Sequence, residues 1–418
     1  MQGGAVGKAF LTPFGVGNQA SSVTALGTRG GVGQAIASRI PQIPFLTACA
    51  TPDKPYPIIM GSMLVPESPV KYAPFEFTPL YAGILNTTAG TDPVVGGGYV
   101  EPLLLNTYSP GPQPTPASGV ANVTATSAPY VVPLVQMVGI SSSFAAQGTR
   151  PDTTTQAELT GAERLEYWNL LNYQGGSRLF ADGGGADNTA ITPLVQRGVR
   201  HIVCGVATIY PPNGTADQWA VYQWDVAGLF GAVPRDLNKR GLVSGVAIDI
   251  YNKAMQIFPE SGYKELHAAL AAAYKAGGST AHRATYTVQD NANKGVKGGW
   301  EVDVLWVTNS QAAQWEGALP AETQQLLADA RAGAPGLPAH LQELRQYPYI
   351  STFDADYTPE LVTLLSQQAS WQMLQSKSII QQMMAAPPGP PAAAAGAAAA
   401  APAAAAQPKA AKPRLRAR

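Results

Sequence analysis

Charge is scarce in this chain. Of its 418 residues only 13% are Asp, Glu, Lys or Arg, and 27 basic residues balance 27 acidic ones. A chain without net charge has no general field drawing it to nucleic acid or to an anionic membrane, so no nucleic-acid partner is expected. Cysteine is rarer still: Cys49 and Cys204 stand far apart with no metal-ligand spacing, and two buried thiols fit better than a disulfide. The four histidines, His201, His267, His282 and His340, are isolated from one another, which argues against a metal centre. His201 lies within an apolar strand, His267 on a helix, and His282 and His340 in loops. No run of about 18 apolar residues offers a membrane span. The N-terminus lacks the basic-then-apolar pattern of a secretory signal. A cytoplasmic or peripheral-membrane protein follows. No Gly-x-Ser-x-Gly occurs anywhere, so the usual strand-to-helix turn for a nucleophilic serine is not legible.

What the chain does have is apolar content, 45% of it, enough for one large domain or two intimate ones. Residues 1–385 read as that body. From 386 to 418 the composition collapses to Ala, Pro and Gly, ending in Lys409, Lys412, Arg414, Arg416 and Arg418. Prolines interrupt any helix and nothing there builds a core, so the tail is expected to be disordered. Its five positive charges leave the body at a net charge of −5. A chain cut after Ala386 is expected to melt at nearly the parent temperature. A fall of several degrees would mean that the tail docks.

The most informative stretch is Phe180–Gly205, FADGGGADNTAITPLVQRGVRHIVCG. Asp182 opens three glycines, a short helical run through Leu194 and Val195 follows, Arg197-Gly198 stops it, and Val199–Cys204 reads as a buried strand. Glycine lets the backbone approach a bound group closely, and Asp182 sets a carboxylate beside it. Asp182 is therefore the candidate general base. Asp182 and Asp187 around the glycines also suggest a calcium loop, but the closing Glu is absent.

Elsewhere the spacing predicts a strand over Pro55–Met63 and a strand at Phe75–Phe77 with Glu76 turned away from the aromatic face. Residues 84–130 read as an irregular insertion. A capping box at Thr160–Glu163 starts a helix carrying Leu165, Trp168 and Leu171, which ends at Gly175-Gly176. Gln218–Phe230 and Gly245–Met255 read as strand and helix segments, and Lys264–Ala276 as a helix. Thr285–Gln289 and Trp300–Thr308 read as strands, and Pro359–Met384 as one long amphipathic helix burying Leu361, Leu364, Leu365, Trp371 and Leu374. Gly27–Ala37 resembles a glycine turn at a helix start, the arrangement that receives an anion or dinucleotide, and a dinucleotide-binding oxidoreductase built on it is the distant alternative. A full G-x-G-x-x-G is missing, and Asp53 sits among prolines.

Four segments in order resemble the lysophospholipase and cytosolic phospholipase A2 catalytic domain, a relative of patatin, over about residues 50–375. They are Phe75–Gly83, Val138–Phe144, the Asp182–Val203 run, and Tyr347–Thr352 leading to Leu364–Trp371. The resemblance implies an α/β three-layer sandwich with a mostly parallel central sheet. It implies hydrolysis of fatty-acyl esters by a Ser-Asp dyad without cofactor or metal, on a phospholipid or lysophospholipid substrate met at a transient membrane surface. Asp182 takes the place of the family aspartate. Gly183 and Gly184, with Gly3 and Gly4, become oxyanion donors, and Lys8 stands where a phosphate-binding arginine falls. Thr28, Arg29, Gly30 and Gly31 form a degenerate elbow with Arg29 at the serine's place. The resemblance thus leaves open an active hydrolase with its serine unidentified, or a non-catalytic lipid-binding member.

Overall fold

The computed structural model describes residues 22–24, 45–47, 55–65, 72–84, 98–100, 102, 105, 132–143, 163–169, 174–234, 242–243, 246–351 and 357–386. Two sheets dominate. The larger is built from β3 (Ile59–Leu64), β4 (Tyr72–Phe77), β5 (Ala82–Ile84), β6 (Gly98–Val100), β7 (Glu163–Asn169) and β8 (Gln174–Asp182), after the short parallel pair β1 (Ser22–Thr24) and β2 (Phe45–Thr47). Its order is β6-β5-β4-β3-β8-β7, every neighbour is antiparallel, and the sheet curls as a half-barrel. One face packs Phe75, Phe77 and Phe180 with Leu165, Met137 and Ile140, and the rings of Phe75 and Phe180 meet edge-on with centroids 4.8 Å apart. Fully burying one such side chain stabilises by about 1.5–3 kcal/mol. Helix α1 (Leu134–Ser141) supplies Met137 and Ile140 and closes that face.

This overturns the expected three-layer sandwich around a mostly parallel sheet. The physical reason lies in the connections. A parallel pair needs a crossover of roughly a dozen residues or more, whereas a short link returns the chain antiparallel. Residues 170–173 join β7 to β8 and residues 78–81 join β4 to β5, so both links are short. The segment from Glu163 is likewise a strand rather than a capped helix: Leu165 and Tyr167 alternate inward, and Glu163–Asn169 pairs with Gln174–Phe180.

The smaller sheet contains β9 (His201–Val206), β12 (Ala281–Thr287) and β13 (Glu301–Thr308), with β10 (Leu242–Val243) and β11 (Val246–Ala247) forming a separate hairpin between them in sequence. β13 is central, antiparallel to β12 and parallel to β9. Alternation along β13 sends Val302, Val304 and Trp306 to one face and Leu305 and Val307 to the other. Trp306 is fully buried, and its indole N–H donates to the Tyr286 hydroxyl at 3.1 Å.

Helices sandwich this sheet. α2 (Gly184–Asp187) and α3 (Thr192–Gln196) precede it, and α4 (Ala216–Tyr222), α5 (Trp224–Leu229), α6 (Ile248–Met255) and α7 (Glu260–Lys275) follow β9. The residues expected as strand and helix between 218 and 230 therefore hold no strand: they form α4 and α5, broken at Gln223. Leu266 and Leu270 of α7 join the core with Trp306, as the periodicity predicts. His267 sits on α7 as expected, but His282 lies within β12 rather than in a loop.

After β13 come α8 (Ala313–Gly317), α9 (Ala321–Ala332), α10 (Pro359–Gln375) and α11 (Lys377–Ala385). The single helix expected over 359–384 is two, divided at Ser376. Leu361 and Leu364 are buried as expected, whereas Leu374 is 66% exposed. Met383 of α11 covers Leu305 and Val307 on the outer face of the small sheet. No helix among the described residues is long and apolar enough to cross a membrane.

Candidate functional site

The two sheets meet at the turn that leaves β8. β3 is the inner neighbour of β8, with Gly61 opposite Asp182, so the turn starts beside the middle of the large sheet. Asp182 is the last residue of β8, the strand-end position expected of it. Its Oδ1 accepts the Gly184 N–H at 2.7 Å, an Asx turn that bends the chain at once. Its backbone carbonyl accepts the Ser62 hydroxyl at 2.5 Å, so the fully buried Ser62 directs its proton at the main chain.

The glycines are needed for space. A Cβ on Gly183 would lie 2.5 Å from the Met60 carbonyl oxygen, and one on Gly184 would lie 2.6 Å from Asn188 Oδ1. Neither N–H is spare: Gly183 donates to Ser141 O at 3.4 Å and Gly184 to Asp182. Gly183 O then accepts from Ala186 and Asp187, each at 3.0 Å, closing the single turn α2.

Asp187 carries most of the local order. Its carboxylate accepts from Thr189 N (2.9 Å), Thr189 Oγ1 (2.7 Å), Ala190 N (3.1 Å) and Thr192 N (2.8 Å). Those amides run from Thr189 through Ala190, which holds a left-handed φ of 54°, to Thr192 at the start of α3. Next to it, Asn188 Nδ2 donates to Asp225 at 3.0 Å, and Gln223 Nε2 and Val226 N each donate to Asp225 at 2.8 Å. Burial raises the Asp225 carboxyl above its ordinary pKa while these donors oppose the rise.

Two further charges close the joint. Arg197, at the end of α3, makes a fork on Glu76 of β4, with Nη1 3.1 Å from Oε1 and Nη2 2.5 Å from Oε2. Tyr81 donates to Glu76 at 3.0 Å and lies under the guanidinium. Glu76 does face away from Phe75 and Phe77, but it is buried, and burial raises its pKa against the pull of Arg197. Lys294, on the loop between β12 and β13, buries its ammonium and donates to Ala186 O at 3.1 Å. Burial lowers its pKa to about 8, with Asp187 opposing. Gln196 donates to the Lys294 carbonyl. A cavity of about 10 Å³ lies among Lys294, Asp187, Thr192 and Glu76, room for about one water and far short of an acyl chain.

The candidate residues thus divide. Asp182, Gly183 and Gly184 come together with Asp187 in one turn. Gly3, Gly4, Lys8, Thr28, Arg29, Gly30 and Gly31 lie outside the described residues, as do Cys49, Asp53, the Gly27–Ala37 dinucleotide candidate and the tail after Ala386. Cys204 is buried and free, its thiol pushed upward by desolvation. Among the described residues no group of three His, Cys, Asp or Glu is placed to hold a metal ion. Lys294, Thr192 and Asp225 are the site residues that sequence reasoning passes over. Asn-Ala-Asn-Lys-Gly reads as an exposed turn, and only the tertiary fold buries its lysine.

Comparisons with protein-family models, curated proteins and solved structures matched nothing.

Proposed function

We propose that this chain is a non-catalytic structural protein, in which the Asp182–Arg197 turn joins a curled antiparallel sheet to a small mixed sheet. The observation that carries this reading is that the polar groups expected to do chemistry are engaged by the chain itself. Asp182 Oδ1 holds Gly184, the N–H groups of Gly183 and Gly184, the two oxyanion candidates among the described residues, have acceptors, and Asp187 accepts four hydrogen bonds from its own loop. A general base needs its carboxylate within hydrogen-bond reach of a nucleophile's proton, and the adjacent hydroxyl, Ser62, points to the Asp182 main-chain oxygen. The joint's lining also suits water rather than a lipid chain.

A second reading, an acyl hydrolase of phospholipid or lysophospholipid type, is favoured by one feature. Asp182 stands at a strand end on a glycine turn and keeps partial solvent exposure. One experiment separates the two. The purified 418-residue chain, incubated with a fluorophosphonate and with a short-chain p-nitrophenyl ester, is expected to show neither a mass adduct nor turnover above buffer. An adduct, or turnover abolished by Asp182→Asn, would overturn the structural reading and favour the hydrolase. Sedimentation with phosphatidylcholine vesicles without turnover would turn the assignment to a lipid-binding scaffold.

A further inference from the structure

The small cavity at the joint is polar and asymmetric in its hydrogen bonding. Thr192 is 2% exposed, lines the cavity, and its Oγ1 is a buried hydroxyl without a partner. Its backbone N–H already binds Asp187 Oδ2 at 2.8 Å, which fixes the residue's backbone beside that carboxylate. Lys294 lines the same cavity with an ammonium that has three protons and one protein acceptor, Ala186 O. Met60 and Pro74 supply the apolar part of the wall. A buried hydroxyl left unpaired is costly, so a structure that buries one beside a buried ammonium needs a third partner for both.

We propose that this cavity is a binding site for one water molecule, which accepts from Lys294 Nζ, exchanges a hydrogen bond with Thr192 Oγ1, and donates to Asp187. The cavity's 10 Å³ fits one water and no second ligand atom beyond it. Internal waters have two to four polar partners, and these three residues supply that number. The opposed charges select a neutral ligand. A small anion would meet Asp187 and Glu76, and a cation would meet the ammonium. The water would thereby link the loop before β13 to the turn after β8, joining the two sheets through hydrogen bonds rather than through a direct ion pair. This holds whether or not the chain turns over a substrate.

The test uses the full chain. A high-resolution crystal structure is expected to show a density peak within hydrogen-bond distance of both Thr192 Oγ1 and Lys294 Nζ. In solution, uniformly nitrogen-15-labelled protein is expected to give a long-lived water cross-peak to the residue-192 amide. Thr192→Ser keeps the hydroxyl and is expected to retain both the density peak and the cross-peak, while Thr192→Val keeps the shape and is expected to lose both. A dry cavity in the parent chain, a Thr192 hydroxyl bonded directly to a protein carbonyl, or a water unchanged in Thr192→Val would each overturn the proposal. Should the valine variant fail to fold, the parent and serine structures decide the question by themselves.

Discussion

Gly183→Ala is expected to lower the stability of the chain by roughly 2–4 kcal/mol, one of the largest effects of any single methyl group in the described structure. The added Cβ would stand 2.5 Å from the Met60 carbonyl oxygen and 2.9 Å from its carbonyl carbon, and both are backbone atoms. A side chain can rotate out of such an overlap. A strand carbonyl cannot, because β3 is pinned between β4 and β8. Relief would require the turn to lift off β3, which would break the Gly183 N–H bond to Ser141 and disturb the Asp182–Gly184 contact. Gly176, on the strand β8 that leads into the turn, is the control. A Cβ there meets nothing within 4 Å among the described residues, so Gly176→Ala should be neutral or slightly stabilising. Denaturant titrations of the two variants check this. Equal midpoints would show that the glycine at 183 is not there for close packing.

That contrast shows how the sequence was legible and how it misleads. Asp-Gly-Gly-Gly announces a special backbone, and the structure places one there. The reason differs from the expected one: the glycines make room for a strand carbonyl and for Asn188, and their N–H groups face other protein atoms. Local pattern also identified β3, β9, β13 and α7: β9 alternates, α7 buries one helical face, and β3 and β13 are largely apolar runs, whereas of β12 only its end, from Thr285, was legible. Partner choice was not legible. β3 pairs with β8 across more than a hundred residues, and nothing within either strand names the other. Runs such as Gly61–Val65 are buried on both faces, so they read like strands of a parallel sheet. In the Glu163 segment, Leu165, Trp168 and Leu171 also fit helical spacing. Pairing with β8 decides for the strand.

The same limit hid the charges. Glu76 between two phenylalanines signals an alternate face, yet its partner Arg197 lies 121 residues away. Pairing the two across the joint links β4 to the end of α3. It also explains why a carboxylate is tolerated within an otherwise apolar strand, since a buried charge persists when a fork of donors meets it. Lys294 is the harder case, because its nearest acid already serves the α3 start.

Lys294→Met is expected to stabilise the chain at neutral pH and to lose that advantage as the solution becomes alkaline. In the folded chain, burial lowers the ammonium's pKa to about 8 from an ordinary 10.5, and Asp187 limits the fall. The sign follows from proton counting. Below about pH 8 both folded and unfolded chains hold the proton, so the cost of burying the charge is present in full. Between about 8 and 10.5 the unfolded chain still holds the proton while the folded chain has released it, so stability rises with pH. The interval corresponds to about 3 kcal/mol. Methionine matches the length of the lysine stem without its charge, but it leaves Ala186 O without the 3.1 Å hydrogen bond, a loss of about 1 kcal/mol. The variant should therefore be about 2 kcal/mol more stable than the parent near pH 7. The two curves should converge or cross toward pH 10. Tyrosines titrating in that range affect both chains alike and cancel in the difference. Urea unfolding of both proteins across this range measures it. A stability difference that stays constant with pH would show that Lys294 does not change protonation there, and that its ammonium is better solvated than its burial implies.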